Sequence, residues 1–253
     1  MSRELGMSPE KLVKKYCEVY AGEDSRVPIV RVKPKGHVKR CPLLKDRKCS
    51  VHKSKPSVCA LFPIGRILQV GDTEGNIRDV SVDDVQYIFS TPGCGDATER
   101  HTVRGWLGAF GIPLQDEFFI MWQKIIVETS MAYRRLEMKA SPHVMQLAWQ
   151  ACFKGLYLHY DTGEDFLPQF EENAQSFRMK RFFILRFTPG STETVLEMVD
   201  GFFHISPDLI GGIPSGRTAE CTGIGAQVFL GINRKHPAAG GFRTGIFTVA
   251  DAF

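Results

Sequence analysis

The sequence lacks the features that assign a chain to several common classes of protein. No stretch approaches the ~18 apolar residues that a membrane-spanning helix needs, so we expect no membrane partner. The amino terminus lacks the charged-then-apolar pattern of a secretory signal, which favours a cytoplasmic location. The Gly223-Ile-Gly225 pair lacks the remaining glycines of a nucleotide-binding fingerprint, and no complete catalytic constellation is present. Catalytic residues and an enzymatic activity are therefore not assigned.

The overall composition is typical of a globular protein with room for a substantial core. The chain has 253 residues, of which 43% are hydrophobic and 24% charged, and its formal net charge is +4. Its seven cysteines are an odd number. In a reducing compartment, thiols persist as core residues, reactive groups or metal ligands rather than as structural disulfides. The cysteine content therefore favours metal binding.

The sequence pattern of the first third of the chain predicts one helix, short strands and a long loop. Ser8-Pro9 is a helix start, and the apolar spacing that follows it predicts a helix up to about Tyr20. The alternation over residues 27–32 predicts a strand, and residues 33–57 are polar and punctuated by prolines, which is typical of a loop. Two more strands are predicted over residues 66–70 and 85–89.

From His101 onward the apolar spacing becomes helical. Helices are predicted over residues 103–110, 114–139, 142–158 and 164–187. We therefore expect an α+β fold that is mostly α-helical, forming one domain over residues 1–187. In it, a small irregular cysteine-bearing region with short strands, about residues 21–100, packs on a helical region of about 101–187.

The end of the chain has a different composition. The last 73 residues hold 11 of the 24 glycines, no Trp or Tyr, and a single lysine, Lys235. This composition is typical of loops and poorly ordered segments. We expect residues 188–253 to form a glycine-rich, poorly ordered tail, and a tail that is not native to the domain is an open alternative.

Three cysteines in one short segment are the strongest indication of function. Seven residues separate Cys41 from Cys49, nine separate Cys49 from Cys59, and 34 separate Cys59 from Cys94, which lies between two glycines. Glycines let the backbone bend closely around a ligand sulfur. Four thiolates suit tetrahedral zinc or an iron-sulfur cluster. We predict that these four residues converge on one metal centre, with ordinary buried thiols as the alternative.

The surroundings of the first three cysteines are strongly basic. Residues 31–55 contain ten Lys or Arg residues and one acid, Asp46. Nearby cations favour the thiolate that ligates metal, and they offset the negative charge of a multi-thiolate centre. His37 and His52 are reserve ligands, with solvated loop histidines as the alternative. The remaining cysteines are interpreted as packing or incidental residues: Cys17, Cys152 and Cys221.

The clustered cysteines lie in three short motifs: Cys41-Pro-Leu-Leu, Cys49-Ser-Val-His and Cys59-Ala-Leu-Phe-Pro. These motifs resemble the second half of the YkgJ-type cysteine-cluster family, the zinc- or iron-chelating CxxCxxCC domain. That family typically reads Cys-Pro-x-Leu, Cys-x-Ile-Tyr and Cys-Arg-x-Phe-Pro, so Val51-His52 and Ala60 depart from its pattern. The resemblance covers about residues 1–180 and implies a bound zinc ion or iron-sulfur cluster.

The amino-terminal cysteine cluster that gives this family its name has no counterpart in the sequence. The chain begins where that cluster should just have ended, which raises the hypothesis that Met1 is an internal methionine of a longer reading frame. Missing thiolates would leave coordination positions to water, so we expect weaker metal binding than in a chain extended upstream.

Three functions are consistent with these observations, in decreasing order of preference. The first is a metal- or iron-sulfur-binding cysteine-cluster protein of undetermined biochemical role. The second, implied by the resemblance, is an enzyme similar to flagellin lysine-N-methylase, although no glycine-rich loop for S-adenosylmethionine follows a predicted strand. The third is nucleic-acid binding through the basic loop 31–55, which lacks aromatic residues for base stacking. A protein partner is not assigned.

Overall fold

The computed structural model describes residues 1–68, 80–91 and 98–186, together with residues 246–247. Over this part of the chain the fold is α+β and mostly helical, with small antiparallel strand pairs, which confirms the predicted class. Of the helices in these ranges, none has both the length and the apolar character that a bilayer span requires. The predicted tail over residues 188–253 lies outside the described residues, apart from Ile246–Phe247.

The described residues divide into two compact units. The first unit takes in residues 1–54 and 125–186, and the second takes in residues 55–68, 80–91, 98–124 and 246–247. Seven α-helices occur in these ranges: α1 Ser2–Leu5, α2 Pro9–Tyr16, α3 Ser57–Leu61, α4 Val103–Gly108, α5 Glu117–Glu137, α6 Pro142–Phe153 and α7 Phe166–Arg186. Helices α3 and α4 belong to the second unit, α5 contributes to both units, and the others belong to the first.

Two helices of the first unit begin at serine-proline pairs, as predicted. The hydroxyl of Ser8 accepts a hydrogen bond from the Lys11 N–H at 3.4 Å, and that of Ser141 accepts one from the Val144 N–H at 3.3 Å. The following proline has no N–H to leave unpaired in the first turn, so it fits that position. The other helix predictions are confirmed by α4, α5 and α7. The helix α6 gives way to a π-helical turn over Lys154–Leu158.

The first predicted helix ends earlier than expected. Helix α2 stops at Tyr16, and strand β1 (Cys17–Ala21) pairs antiparallel with strand β2 (Pro28–Val32), placing Val19 opposite Val30. The predicted continuation to Tyr20 is therefore wrong. Valine and tyrosine fit helical spacing but favour strands, and the partner strand decides between the two conformations. The prediction of a strand over residues 27–32 is confirmed by β2.

The core of the first unit includes much of α6. Eight α6 side chains are buried: Val144, Met145, Leu147, Ala148, Trp149, Ala151, Cys152 and Phe153. Polar ends of aromatic side chains in this unit are paired with backbone carbonyls. Tyr133 donates to Ala148 at 2.7 Å, Trp149 donates to Arg26 at 2.9 Å, and Tyr157 donates to Pro28 at 2.9 Å. These bonds let large aromatic rings be buried without leaving an unpaired donor.

The second unit contains a small antiparallel sheet in the order β5 (Ile64–Leu68), β6 (Val85–Phe89) and β7 (Ile246–Phe247). The predicted strand over 85–89 is confirmed, and the strand predicted from Arg66 begins at Ile64. Arg66 forms a partly buried ion pair with Asp116 at 2.6 Å and lies over the Phe119 ring. The ion pair thus joins the sheet of this unit to the residue that directly precedes α5, whose carboxylate also accepts a hydrogen bond from the Phe119 N–H at 3.1 Å.

Candidate metal centre

The segment that carries Cys41 and Cys49 is ordered by two tight hairpins. In the first hairpin, residues 35–40, Lys35 and Arg40 exchange backbone hydrogen bonds of 2.8 and 2.9 Å. The second hairpin, residues 44–49, consists of strands β3 (Leu44–Lys45) and β4 (Lys48–Cys49), with Leu44 opposite Cys49. The prediction of a loop over residues 33–57 missed both hairpins, because each is too short to show an alternating apolar pattern.

Both hairpins turn through left-handed backbone conformations. In the first hairpin Gly36 has φ 71° and Lys39 has φ 48°, and in the second Asp46 has φ 47° and Arg47 has φ 63°. Left-handed φ at consecutive central residues is the type I′ geometry, which favours Asn-Gly. For residues with a Cβ this conformation costs roughly 1–2 kcal/mol each. The backbone hydrogen bonds of the hairpin, rather than local preference, therefore hold the Asp46-Arg47 turn.

Hydrogen bonds and two buried side chains fix the backbone around the second hairpin. The flanking residues Leu43 and Val51 are 3% and 1% exposed. The carbonyl of Leu43 accepts from both the N–H and the hydroxyl of Ser50, at 2.9 and 2.8 Å. The Leu44 N–H donates to the Cys41 carbonyl at 3.2 Å. Cys41 and Cys49 are therefore attached to a backbone with a defined course.

The thiols of the first unit fall into two groups. Cys41 is exposed and Cys49 is partly exposed, and both are free thiols. Cys152 is fully buried, as its position on an apolar helix predicts. Cys17 is the first residue of β1 rather than part of a helix, and burial raises the pKa of its thiol to about 11. A thiol with that pKa stays protonated near neutral pH, which fits the interpretation of Cys17 as a packing residue.

Cys59 belongs to the second unit and is exposed as well. It lies on the short helix α3, where its N–H donates to the Pro56 carbonyl at 2.8 Å. On the same helix Ala60 and Leu61 are buried, at 4% and 7% exposure. The helix therefore buries Ala60 and Leu61 and leaves Cys59 at the surface beside the exposed Val58.

The other predicted ligands are Cys94 and the two reserve histidines. Cys94 lies outside the described residues, as does Cys221, so the convergence of the four sulfur atoms stays a prediction. Within the ranges that the structure describes, no three His, Cys, Asp or Glu side chains are grouped closely enough to hold a metal ion. The reserve ligands His37 and His52 are both exposed.

The predicted basic surroundings of the cysteines lie at the surface. Eight basic side chains near Cys41 and Cys49 in the sequence are exposed: Lys33, Lys35, Lys39, Arg40, Lys45, Arg47, Lys48 and Lys53. Cations of this kind offset the combined negative charge of several thiolates that gather at one metal. The donor set of this segment is therefore chemically suited to a thiolate-bound metal.

The cysteines are apparent in the sequence, but the residues that position them were not predicted. The four polar residues between Leu44 and Cys49 are compatible with a turn, and aspartate tolerates left-handed φ better than most residues. Arginine has no comparable tolerance of left-handed φ, so Arg47 does not indicate a turn. The turn at Asp46-Arg47 could therefore have been suspected from one of its two central residues only.

Comparisons with known proteins give no relative, because no protein-family model, no curated protein and no solved structure matches the chain. The resemblance to the YkgJ-type family therefore remains a hypothesis that depends chiefly on the motifs within residues 41–63.

Proposed function

We propose that the chain is a metal-binding cysteine protein in which Cys41, Cys49, Cys59 and Cys94 supply thiolates to a zinc ion or an iron-sulfur cluster. The observation that carries the proposal is the exposure of two of these thiols, Cys41 and Cys59. Cysteine is among the most frequently buried residue types, so a thiol that serves packing is expected in a core. Cys152 follows that rule, at 0% exposure. The exposed thiols need another explanation, and metal ligation is one.

The chemistry of the segment supports the same conclusion. Thiolate sulfur binds zinc at ~2.3 Å and is the usual ligand of iron-sulfur clusters. Arg40 and Lys48 directly precede Cys41 and Cys49, and both are exposed basic residues. Their charge lowers the electrostatic cost of bringing several thiolates together. Metal binding would in turn stabilise the strained hairpin, because ligation energy contributes to folding.

The test is an analysis of metal and acid-labile sulfide in the full chain, purified without oxygen. Wild type is compared with the double variant Cys41→Ser/Cys49→Ser and with Cys59→Ser. The matched control is Cys17→Ser, because burial raises the pKa of the Cys17 thiol to about 11 and disfavours its thiolate. We expect wild type and the control to hold about one zinc ion per chain, or iron with acid-labile sulfide.

The ligand variants should lose most of that metal while keeping the helical circular dichroism of wild type. Wild-type protein that contains no stoichiometric metal would contradict the proposal. So would metal that survives in every serine variant, since it would then bind elsewhere in the chain.

A further inference from the structure

The two hairpins expose a concentration of positive charge that metal binding does not use in full. Residues 35–48, here called the cationic segment, contain six basic residues and one acid, Asp46. The six basic side chains are all exposed, three on each hairpin: Lys35, Lys39, Arg40, Lys45, Arg47 and Lys48. Even a site with four thiolates would leave part of this charge available to a second partner.

The backbone beneath these side chains is fixed. Paired hydrogen bonds close the first hairpin between Lys35 and Arg40, and antiparallel pairing of Leu44 with Cys49 closes the second. The left-handed turns keep each loop tight. Charged side chains on a preorganised backbone lose less conformational entropy on binding than those of a flexible tail. The cationic segment is therefore suited to a repeating polyanion.

We propose that the cationic segment binds the phosphate backbone of double-stranded nucleic acid. Lysine and arginine that neutralise phosphates release counterions, and this supplies most of the affinity of sequence-independent binding. Proteins that hold unpaired strands also stack bases on aromatic side chains. Residues 33–53 contain no Phe, Trp or Tyr. The segment therefore has basic side chains that can bind phosphates but no aromatic ring on which an unpaired base could stack. The proposal does not depend on the metal site.

Nucleic-acid binding is the third of the functions that the sequence suggests, because the basic loop lacks aromatic residues. The lack of aromatic residues argues against single strands, and it carries no weight against a duplex whose bases stay stacked. The formal charge of +4 for the whole chain also understates the local charge. The structure adds that all six basic side chains of the segment are exposed.

An anionic membrane is the other polyanionic surface that the segment could meet. Segments that lie on membranes bury a continuous apolar face, often with aromatic residues. The cationic segment has exposed apolar side chains at Val38 and Leu44, 73% and 46% exposed, on separate hairpins. Two isolated aliphatic side chains do not make such a face, so the duplex is the favoured partner.

The test is fluorescence anisotropy of the full chain with a labelled DNA duplex of arbitrary sequence. Six phosphate contacts predict that affinity falls by about a thousandfold between about 50 mM and about 200 mM salt. The triple variant Lys45→Gln/Arg47→Gln/Lys48→Gln should reduce the slope of log affinity against log salt by about 3. The matched control Lys11→Gln/Lys14→Gln/Arg135→Gln removes three exposed basic residues from helices of the same unit and should leave that slope unchanged.

Several outcomes would overturn the proposal. These are absence of duplex binding at low salt, an equal change of slope in both triple variants, and stronger binding to a single strand of the same length than to the duplex. Binding to phosphatidylserine vesicles without binding to the duplex would also overturn it. Metal content measured on the same samples separates this result from the proposed metal function, and circular dichroism shows whether the variants are folded.

Discussion

The cationic segment and helix α6 each carry a cysteine of the first unit, but the first cysteine is exposed and the second is buried. On α6, Cys152 is one of eight buried side chains and has no exposed surface. Among residues 35–54, only Leu43 and Val51 are buried, and Cys41 lies exposed. The same residue type is a packing element in a periodic apolar helix and a surface thiol in a basic hairpin. The burial of the thiol, rather than the residue type, therefore decides whether a cysteine can react or bind a metal.

The two regions are also stabilised by different forces. Burying a large apolar side chain contributes roughly 1.5–3 kcal/mol, and α6 buries several of them. The second hairpin is held by backbone hydrogen bonds worth about 0.5–1.5 kcal/mol each and by only two buried flanking side chains, Leu43 and Val51, and roughly 1–2 kcal/mol per left-handed residue opposes them. The cationic segment is therefore the region whose stability a bound metal or polyanion would change most.

The largest expected difference between the regions is in thiol reactivity. In metal-free protein we expect iodoacetamide to alkylate Cys41 at least about a thousandfold faster than Cys152. A fully buried thiol reacts only when the protein around it unfolds, and the free energy of that unfolding is several kcal/mol. Mass spectrometry of peptides from a time course measures both rates. If the proposed metal site exists, zinc or an intact cluster should protect Cys41 and leave Cys152 unchanged.

The Cys17 thiol gives the same experiment an internal pH control. Burial disfavours its thiolate and raises its pKa to about 11, so its alkylation rate should keep increasing as the pH rises towards that value. Only near the urea unfolding midpoint should the Cys152 rate approach the Cys41 rate, because the protection of Cys152 is then lost. Equal rates for Cys41 and Cys152 in native buffer would remove the contrast between the two regions.

The parts of the fold that local sequence determines were predicted, and the parts that depend on distant partners were not. Ser141-Pro142 and the apolar spacing after it are sufficient for α6, including the burial of Cys152. Strand β1 was missed because its conformation depends on pairing with β2. The local sequence preference of Cys17–Ala21 does not reveal that pairing. Helix starts are local signals, whereas strand pairing is not.

The candidate site shows the same division. The metal-ligand hypothesis comes from the spacing of Cys41, Cys49 and Cys59 and from their basic neighbours, which are properties of the sequence, and it stays a prediction. The hairpins could not be predicted, since the left-handed conformation of Arg47 has no local signal and is imposed by the pairing of Leu44 with Cys49. Convergence of the sulfur atoms remains a prediction.

An intermediate effect is expected when each cysteine is replaced by serine. Cys152→Ser places a hydroxyl in an apolar core and should lower the free energy of unfolding by about 1–3 kcal/mol. Cys41→Ser should change it by less than about 0.5 kcal/mol in metal-free protein, because the side chain is exposed. Urea unfolding followed by circular dichroism measures both. A Cys41→Ser loss as large as that of Cys152→Ser would show that the segment packs more tightly than its exposure indicates.

The smallest effect, and the sharpest test of the hairpin, is the double substitution Asp46→Asn/Arg47→Gly. Asn-Gly is the preferred pair for this turn, and removing the Cβ of Arg47 relieves roughly 1–2 kcal/mol of left-handed strain. Glycine adds about 0.4–1 kcal/mol of unfolded-chain entropy to be lost on folding, so the net gain should be about 0.5–1 kcal/mol. The exchange removes one acid and one base and leaves the net charge unaltered. Urea midpoints of metal-free protein measure the gain, and Arg47→Lys, which keeps both the charge and the Cβ, should show none. A destabilised double variant would mean that the Asp46-Arg47 turn is not left-handed, and the fixed geometry on which the cationic segment depends would then fail.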